Sequence, residues 1–137
     1  TLVHGDYRLD NLLVDADDRI AAVVDWEMAT LADPLTDLGL LLVYQRIGEL
    51  AGEAMASAAP GYPAADELLQ RYAARSGRNL GQLGFHVALA SFKLAVIAEG
   101  IHYRHLQGQT VGAGYEHFGR MVAPLVASGL SALEERR

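Results

Sequence analysis

Two short aliphatic runs, Leu12 to Val14 and Ile20 to Val24, enclose the polar stretch Asp15-Ala16-Asp17-Asp18-Arg19. Turn chemistry between two strand-like runs predicts a β-hairpin. Antiparallel pairing brings the residue that opens the first strand and the residue that closes the second to the same end. Asn11 and Asp25 are therefore expected within reach of one ion. Beyond Asp33-Pro34 the apolar spacing becomes helical, so the expected fold is mainly α with a small β-hairpin.

Thr36 or Asp37 can cap the first helix, with Leu38, Leu41, Leu42 and Gln45 following at helical spacing. Residues 48–63 hold Gly48, Gly52, Pro60, Gly61 and Pro63 and read as a loop or broken helix. Ala64 to Ser76 reads as a helix burying Leu68, Leu69 and Tyr72 and stopped by Gly77. Leu80 to Gln107 is apolar on most faces, the mark of a central buried helix. A last helix presents Tyr115, Phe118, Val122 and Leu125, with Pro124 as an expected kink. No repeat, low-complexity tract or linker divides residues 1–137, so one domain is expected.

With 51% hydrophobic and 20% charged residues, the chain has the composition of a globular protein. A net charge of -6 argues against a nucleic-acid partner, which would need a positive surface. Residues 1–40 carry nine acids against Arg8 and Arg19, a balance of -7, whereas the rest contributes +1. Such a local excess of carboxylates is tolerable around a divalent cation, although Asp15, Asp17 and Asp18 suit an ordinary turn. No uninterrupted apolar stretch reaches the roughly 20 residues that cross a bilayer, so no membrane partner is expected. The absence of cysteine excludes disulfides and thiolate metal sites, and a cytoplasmic location is the expectation.

The chemistry concentrates in His4-Gly5-Asp6-Tyr7-Arg8-Leu9-Asp10-Asn11 and in Asp25. Phosphoryl transfer needs a carboxylate to orient a hydroxyl, and oxygen ligands to hold magnesium on a nucleotide. Asp6 fits the first role, as the catalytic base. Asn11 and Asp25 fit the second, because Mg²⁺ takes hard oxygen donors and commonly only one or two protein groups. His4 reads as a scaffold bonded to backbone near Asp25, and Asp37 as a buried carboxylate accepting amides from the catalytic loop. Gly5 reads as the residue that lets the loop turn tightly.

The pattern His4-Gly5-Asp6, four residues, Asn11, and then Asp25-Trp26-Glu27 resembles the aminoglycoside phosphotransferase and choline kinase-like family, relatives of the protein kinases. Asp33-Pro34-Leu35-Thr36-Asp37-Leu38-Gly39 is similar to the family segment that follows its metal-binding Asp. Phe92 to Ile97 and Tyr103 to Gly108 resemble the branch related to kinase-like domains fused to acyl-CoA dehydrogenases. The resemblance implies the carboxyl-terminal lobe of a protein kinase-like fold, using ATP and Mg²⁺ to phosphorylate a small hydroxylated acceptor. It also implies a catalytic-side role for Arg8, where protein kinases place a Lys near the transferring phosphate; a surface Arg paired with Asp10 is the alternative. Glu27 stands where protein kinases carry Gly, and a structural role fits it better than a second metal.

In that family a preceding lobe supplies a Gly-rich phosphate-covering loop and a strand Lys. This chain shows neither, and its one lysine is Lys93, deep in an apolar helical stretch. The expectation is a catalytic lobe without its nucleotide-clamping lobe, inactive by itself and prone to self-association through the uncovered inter-lobe face. Acceptors in range are an aminoglycoside, an amino alcohol, a sugar or a hydroxyacyl-CoA. Glu99 and His102 are candidates for the acceptor pocket, sharing a helix face with His105; a metal site there is the rarer reading. The competing functions are a non-catalytic kinase-like binding module and, more remotely, a metal-dependent hydrolase built on the Asp/Asn cluster with His4.

Overall fold

The computed structural model describes residues 1–51 and 59–134, with side chains described outside 48–51. Strands β1 (Leu2–Val3), β2 (Leu12–Val14), β3 (Ile20–Val23) and β4 (Thr30–Leu31) come first. Four helices follow among the described residues: α1 (Leu35–Ala51), α2 (Ala65–Ser76), α3 (Leu83–Leu106) and α4 (Phe118–Glu134). The mainly α expectation with its hairpin holds. β2 and β3 pair antiparallel, with Leu12 opposite Val23. A second two-stranded ladder, absent from the sequence reading, pairs β1 with β4 across the motif region, Leu2 opposite Leu31. Two-residue strands carry too little periodicity to be legible in a sequence.

Helix α3 is the spine, packed against α1 on one side and α4 on the other. Leu35, Leu38, Leu40, Leu42 and Val43 from α1 meet Leu83, Val87, Ala90, Leu94 and Ala95 from α3, with Leu125 and Ala132 from α4. Glycines set the spacing. A Cβ on Gly39 would sit 2.8 Å from the His86 carbonyl, and one on Gly129 would sit 3.1 Å from Cβ of Ser91. Both pairs of helices therefore approach at backbone distance.

Several boundaries differ from expectation. The first helix is capped by Asp33, whose Oδ1 accepts the Leu35 N–H at 2.9 Å, rather than by Thr36 or Asp37. Asp37 instead accepts the backbone N–H groups of His4 and Gly5. α1 continues through Gly48 to Ala51, because interior glycine costs only about 1 kcal/mol and the helix is anchored upstream. Gly52 lies outside the described residues. Gly77 closes α2 in the left-handed conformation as expected, at φ 66°. Leu68, Leu69 and Tyr72 are half-buried rather than buried.

α3 is not buried all round. Phe85, Leu89, Phe92 and Val96 recur along one face and are exposed, as are Val126, Leu130 and Leu133 on α4. At 24 residues α3 is also long and apolar enough to cross a membrane by length and composition, although Lys93 and Glu99 interrupt its apolar run. The same test is passed by core helices, and the inner face of α3 is packed into this core. Pro124 lies inside α4 and Tyr115 in the short 3-10 turn before it.

Candidate active site

The loop from His4 to Asn11 is held from three directions. Pairing of β1 with β4 brings Met28 beneath Gly5. Gly5 has φ 83°, and a Cβ there would run into the Met28 carbonyl, so no side chain is tolerated. From α1, Asp37 accepts the His4 N–H on Oδ2 at 2.7 Å and the Gly5 N–H on Oδ1 at 2.8 Å. From α3, the Lys93 ammonium donates to the Gly5 carbonyl at 2.6 Å. Both polar groups of the Gly5 backbone are thus paired with ionised side chains, the strong kind of hydrogen bond.

His4 is a strut. Its Nδ1 accepts the Asp6 backbone N–H at 3.2 Å, which leaves the ring proton on Nε2 to donate to the Val24 carbonyl at 2.8 Å. The ring is 2% exposed and lies 4.7 Å from that of Trp26, whose Nε1–H in turn donates to the Val23 carbonyl. One side chain therefore ties the loop to the end of β3, and both nitrogens are occupied in the neutral form.

The Asp6 carboxylate is gripped at both oxygens. Asn11 donates through Nδ2 to the Asp6 carbonyl at 2.8 Å and to Oδ2 at 3.3 Å. Tyr44, two helical turns beyond Asp37 on α1, donates its hydroxyl proton to Oδ1. Burial, and then the hydrogen bond to Asp6 and its charge, push the Tyr44 phenol above its ordinary range. Arg8 packs its guanidinium 5.3 Å from the centre of the Tyr44 ring. Its Nε lies 3.4 Å from Asp10 and 3.9 Å from Asp6, ion pairs without hydrogen-bond alignment. The Asp10 pairing expected as one alternative for Arg8 is present, and Asp6 and the Tyr44 ring are further neighbours.

Asp25 stands at the end of β3. The Val24 N–H donates to the Asn11 carbonyl at 2.9 Å, extending the ladder one step beyond the Leu12–Val23 pair and setting Asp25 beside Asn11's turn. Asp25 adopts φ 65°, a left-handed backbone that Asp tolerates better than most residues and that recurs at functional sites. Its exposed carboxylate has no hydrogen bond or ion pair among the described residues. Glu27 is likewise exposed in the 3-10 turn Trp26–Met28.

This donor set fits magnesium. The Asn11 amide nitrogen is committed to Asp6, so the group left to meet a cation is its carbonyl oxygen; Asp25 follows Val24, whose N–H bonds the Asn11 backbone carbonyl. No group of three His, Cys, Asp or Glu that could hold a metal occurs among the described residues.

Glu99 and His102 lie beyond Lys93 on α3. Glu99 is exposed, and the His102 ring lies against the Gly119 backbone, where a Cβ would be 2.7 Å away. His105 bonds Thr110 at 3.1 Å. The hollow that does adjoin the loop, of about 530 Å³, is lined by Met28, Thr36, Leu89, Phe92, Lys93 and Val96 among others, and by neither Glu99 nor His102. The sequence reading missed Tyr44 and Lys93 as site residues. Lys93 had a signal, the one lysine of the chain set in an apolar helical stretch; Tyr44 had none beyond its place seven residues after Asp37.

Residues 1–74 match the model of the phosphotransferase enzyme family. The chain is 36% identical over 135 residues to acyl-CoA dehydrogenase family member 11 of Homo sapiens, covering 94% of this chain and 17% of that protein. The Mus musculus protein of the same name is 38% identical over 136 residues, covering 94% and 18%. Acyl-CoA dehydrogenase family member 10 of Mus musculus is 33% identical over 128 residues, covering 88% and 12%. The chain thus spans less than a fifth of the length of these relatives, and no solved structure matches it. With the family model covering more than half of the chain and the whole Asp6–Asn11–Asp25 arrangement, the chain belongs to the phosphotransferase enzyme family.

Proposed function

We propose that this chain is the catalytic lobe of a small-molecule kinase that moves the γ-phosphate of ATP to a hydroxyl. The observation that carries the reading is the Asp6 carboxylate, held at one oxygen by Tyr44 and at the other by Asn11, whose backbone carbonyl accepts the N–H of the residue before the unpartnered Asp25. Asp6 orients the acceptor hydroxyl and receives its proton at a carboxylate oxygen. Asn11, through its carbonyl, and Asp25, through its carboxylate, would hold Mg²⁺ and with it the nucleotide. The magnesium nucleotide, when bound, supplies the phosphoryl group and neutralises charge that develops on it. Arg8, held against Tyr44, adds a cation on the Asp6 side of the site.

The phosphate-covering loop and its lysine are proposed to come from another lobe, without which this chain has no turnover. The acceptor is a hydroxylated small molecule; a hydroxyacyl-CoA is favoured over an aminoglycoside. Support comes from the names of the relatives and from the apolar hollow beside the loop, whose one charged wall residue is Lys93, a poor match for a polycation.

The test is calorimetry of ATP, with and without Mg²⁺, on the longest natural chain that contains these residues, followed by phosphate transfer to a panel of acceptors. Asp6→Asn is expected to lower kcat by on the order of 10²- to 10⁴-fold while ATP still binds. Asp25→Ala is expected to abolish Mg²⁺-dependent binding. ATP affinity indifferent to both magnesium and Asp25 overturns the reading.

A further inference from the structure

We propose that Tyr44 is a positioning residue for Asp6, holding one carboxylate oxygen so that the other lone pairs face the acceptor. The inference rests on the kinase reading above and deepens it. A carboxylate on a short side chain rotates about its last bond, and one donor leaves that rotation loose. Here two donors from separate elements take separate oxygens, Tyr44 on Oδ1 and Asn11 on Oδ2. Together they set the plane of the group. Each oxygen keeps a free lone pair, so the grip does not block the chemistry.

The helix that delivers Tyr44 is the one that anchors the loop. Asp37 and Tyr44 are seven residues apart on α1, hence on one face about two turns apart. Asp37 holds the backbone at His4 and Gly5, and Tyr44 holds the side chain of the next residue, Asp6. Backbone and side chain are thus referenced to a single rigid element, the arrangement that a catalytic group needs to stay within a few tenths of an ångström of its working position. The ring has a second contact, with the Arg8 guanidinium over its face. Removal of the hydroxyl alone therefore separates the two roles. Burial keeps the phenol in its donating form well into alkaline solution.

The experiment compares Tyr44→Phe with the parent in the longest natural chain containing these residues, and uses Tyr72→Phe, on a core tyrosine, as control. Tyr44→Phe keeps the ring and the Arg8 contact. It is expected to lower kcat by on the order of ten- to a hundredfold, the scale of a misplaced catalytic group, with KM for ATP and Tm close to the parent. It is also expected to move the ¹³C carboxyl resonance of Asp6, which Tyr72→Phe leaves in place. A Tyr44→Phe variant with parental kcat, or an unmoved Asp6 resonance, overturns the inference while the kinase reading stands. Loss of Tm matching the loss of kcat assigns Tyr44 to the scaffold and also overturns it. A parent that neither binds Mg²⁺–ATP nor transfers phosphate overturns the kinase reading, and this inference falls with it.

Discussion

The Lys93 ammonium donates to the Gly5 carbonyl at 2.6 Å, tying the middle of the central helix to a loop 88 residues earlier in the chain. Lys93→Met keeps most of the stem and removes the donor. It leaves a carbonyl in a half-buried site without its partner, a loss of about 1–3 kcal/mol. Urea unfolding is expected to show that loss as a lower midpoint at unchanged slope. A midpoint equal to the parent's means that water replaces the ammonium at no cost.

Gly5 is expected to be the least replaceable residue of the loop. Gly5→Ala places a methyl against the Met28 carbonyl in a left-handed backbone. The combined strain is on the order of 1–3 kcal/mol, and relief requires the loop to leave Asp37. Phosphate transfer should fall further than stability does, because Asp6 is the next residue. Asp37→Asn provides the comparison: its carbonyl keeps one of the two amides, so a stability loss of roughly 1–3 kcal/mol is expected. Retained activity in Gly5→Ala removes the loop from the role described.

Tyr44 predicts an alkaline limb in stability. Burial and the Asp6 interaction raise its phenol in the folded state above the unfolded value of about 10. The folded protein therefore holds this proton after the unfolded chain has released it. The stabilisation is complete below pH ~10 and is lost as the pH climbs from there through the folded-state value. Chemical denaturation across the alkaline range should show a steeper decline for the parent than for Tyr44→Phe. Parallel curves remove the coupling.

Ser91 is expected to be better as alanine. Its hydroxyl is wholly buried between α3 and α4, against Gly129, and no described residue accepts or donates to it. An unpaired buried hydroxyl carries its desolvation cost with no return, so Ser91→Ala should be neutral or should stabilise by up to about 1 kcal/mol. A clear fall in Tm reveals a partner for that hydroxyl. Gly129→Ala, by contrast, should destabilise, since the added methyl would sit 3.1 Å from Cβ of Ser91.

The sequence alone determined what short-range chemistry governs. The Asp-rich turn between two β-branched runs dictates a hairpin, and antiparallel pairing then brings Asn11 and Asp25 to one end whatever surrounds them. Gly77 ends α2 because left-handed backbone suits glycine. The tertiary structure decided what depends on contacts far apart in the chain. An apolar helix of 24 residues does not state which face it buries, so the exposure of Phe85, Phe92 and Val96 was illegible. Tyr44 and Lys93 reach Asp6 and Gly5 across 38 and 88 residues. Nothing local marks Tyr44, and Lys93 stands out only as the one lysine in an apolar stretch, because a helix face acquires its meaning only when packing chooses what lies opposite.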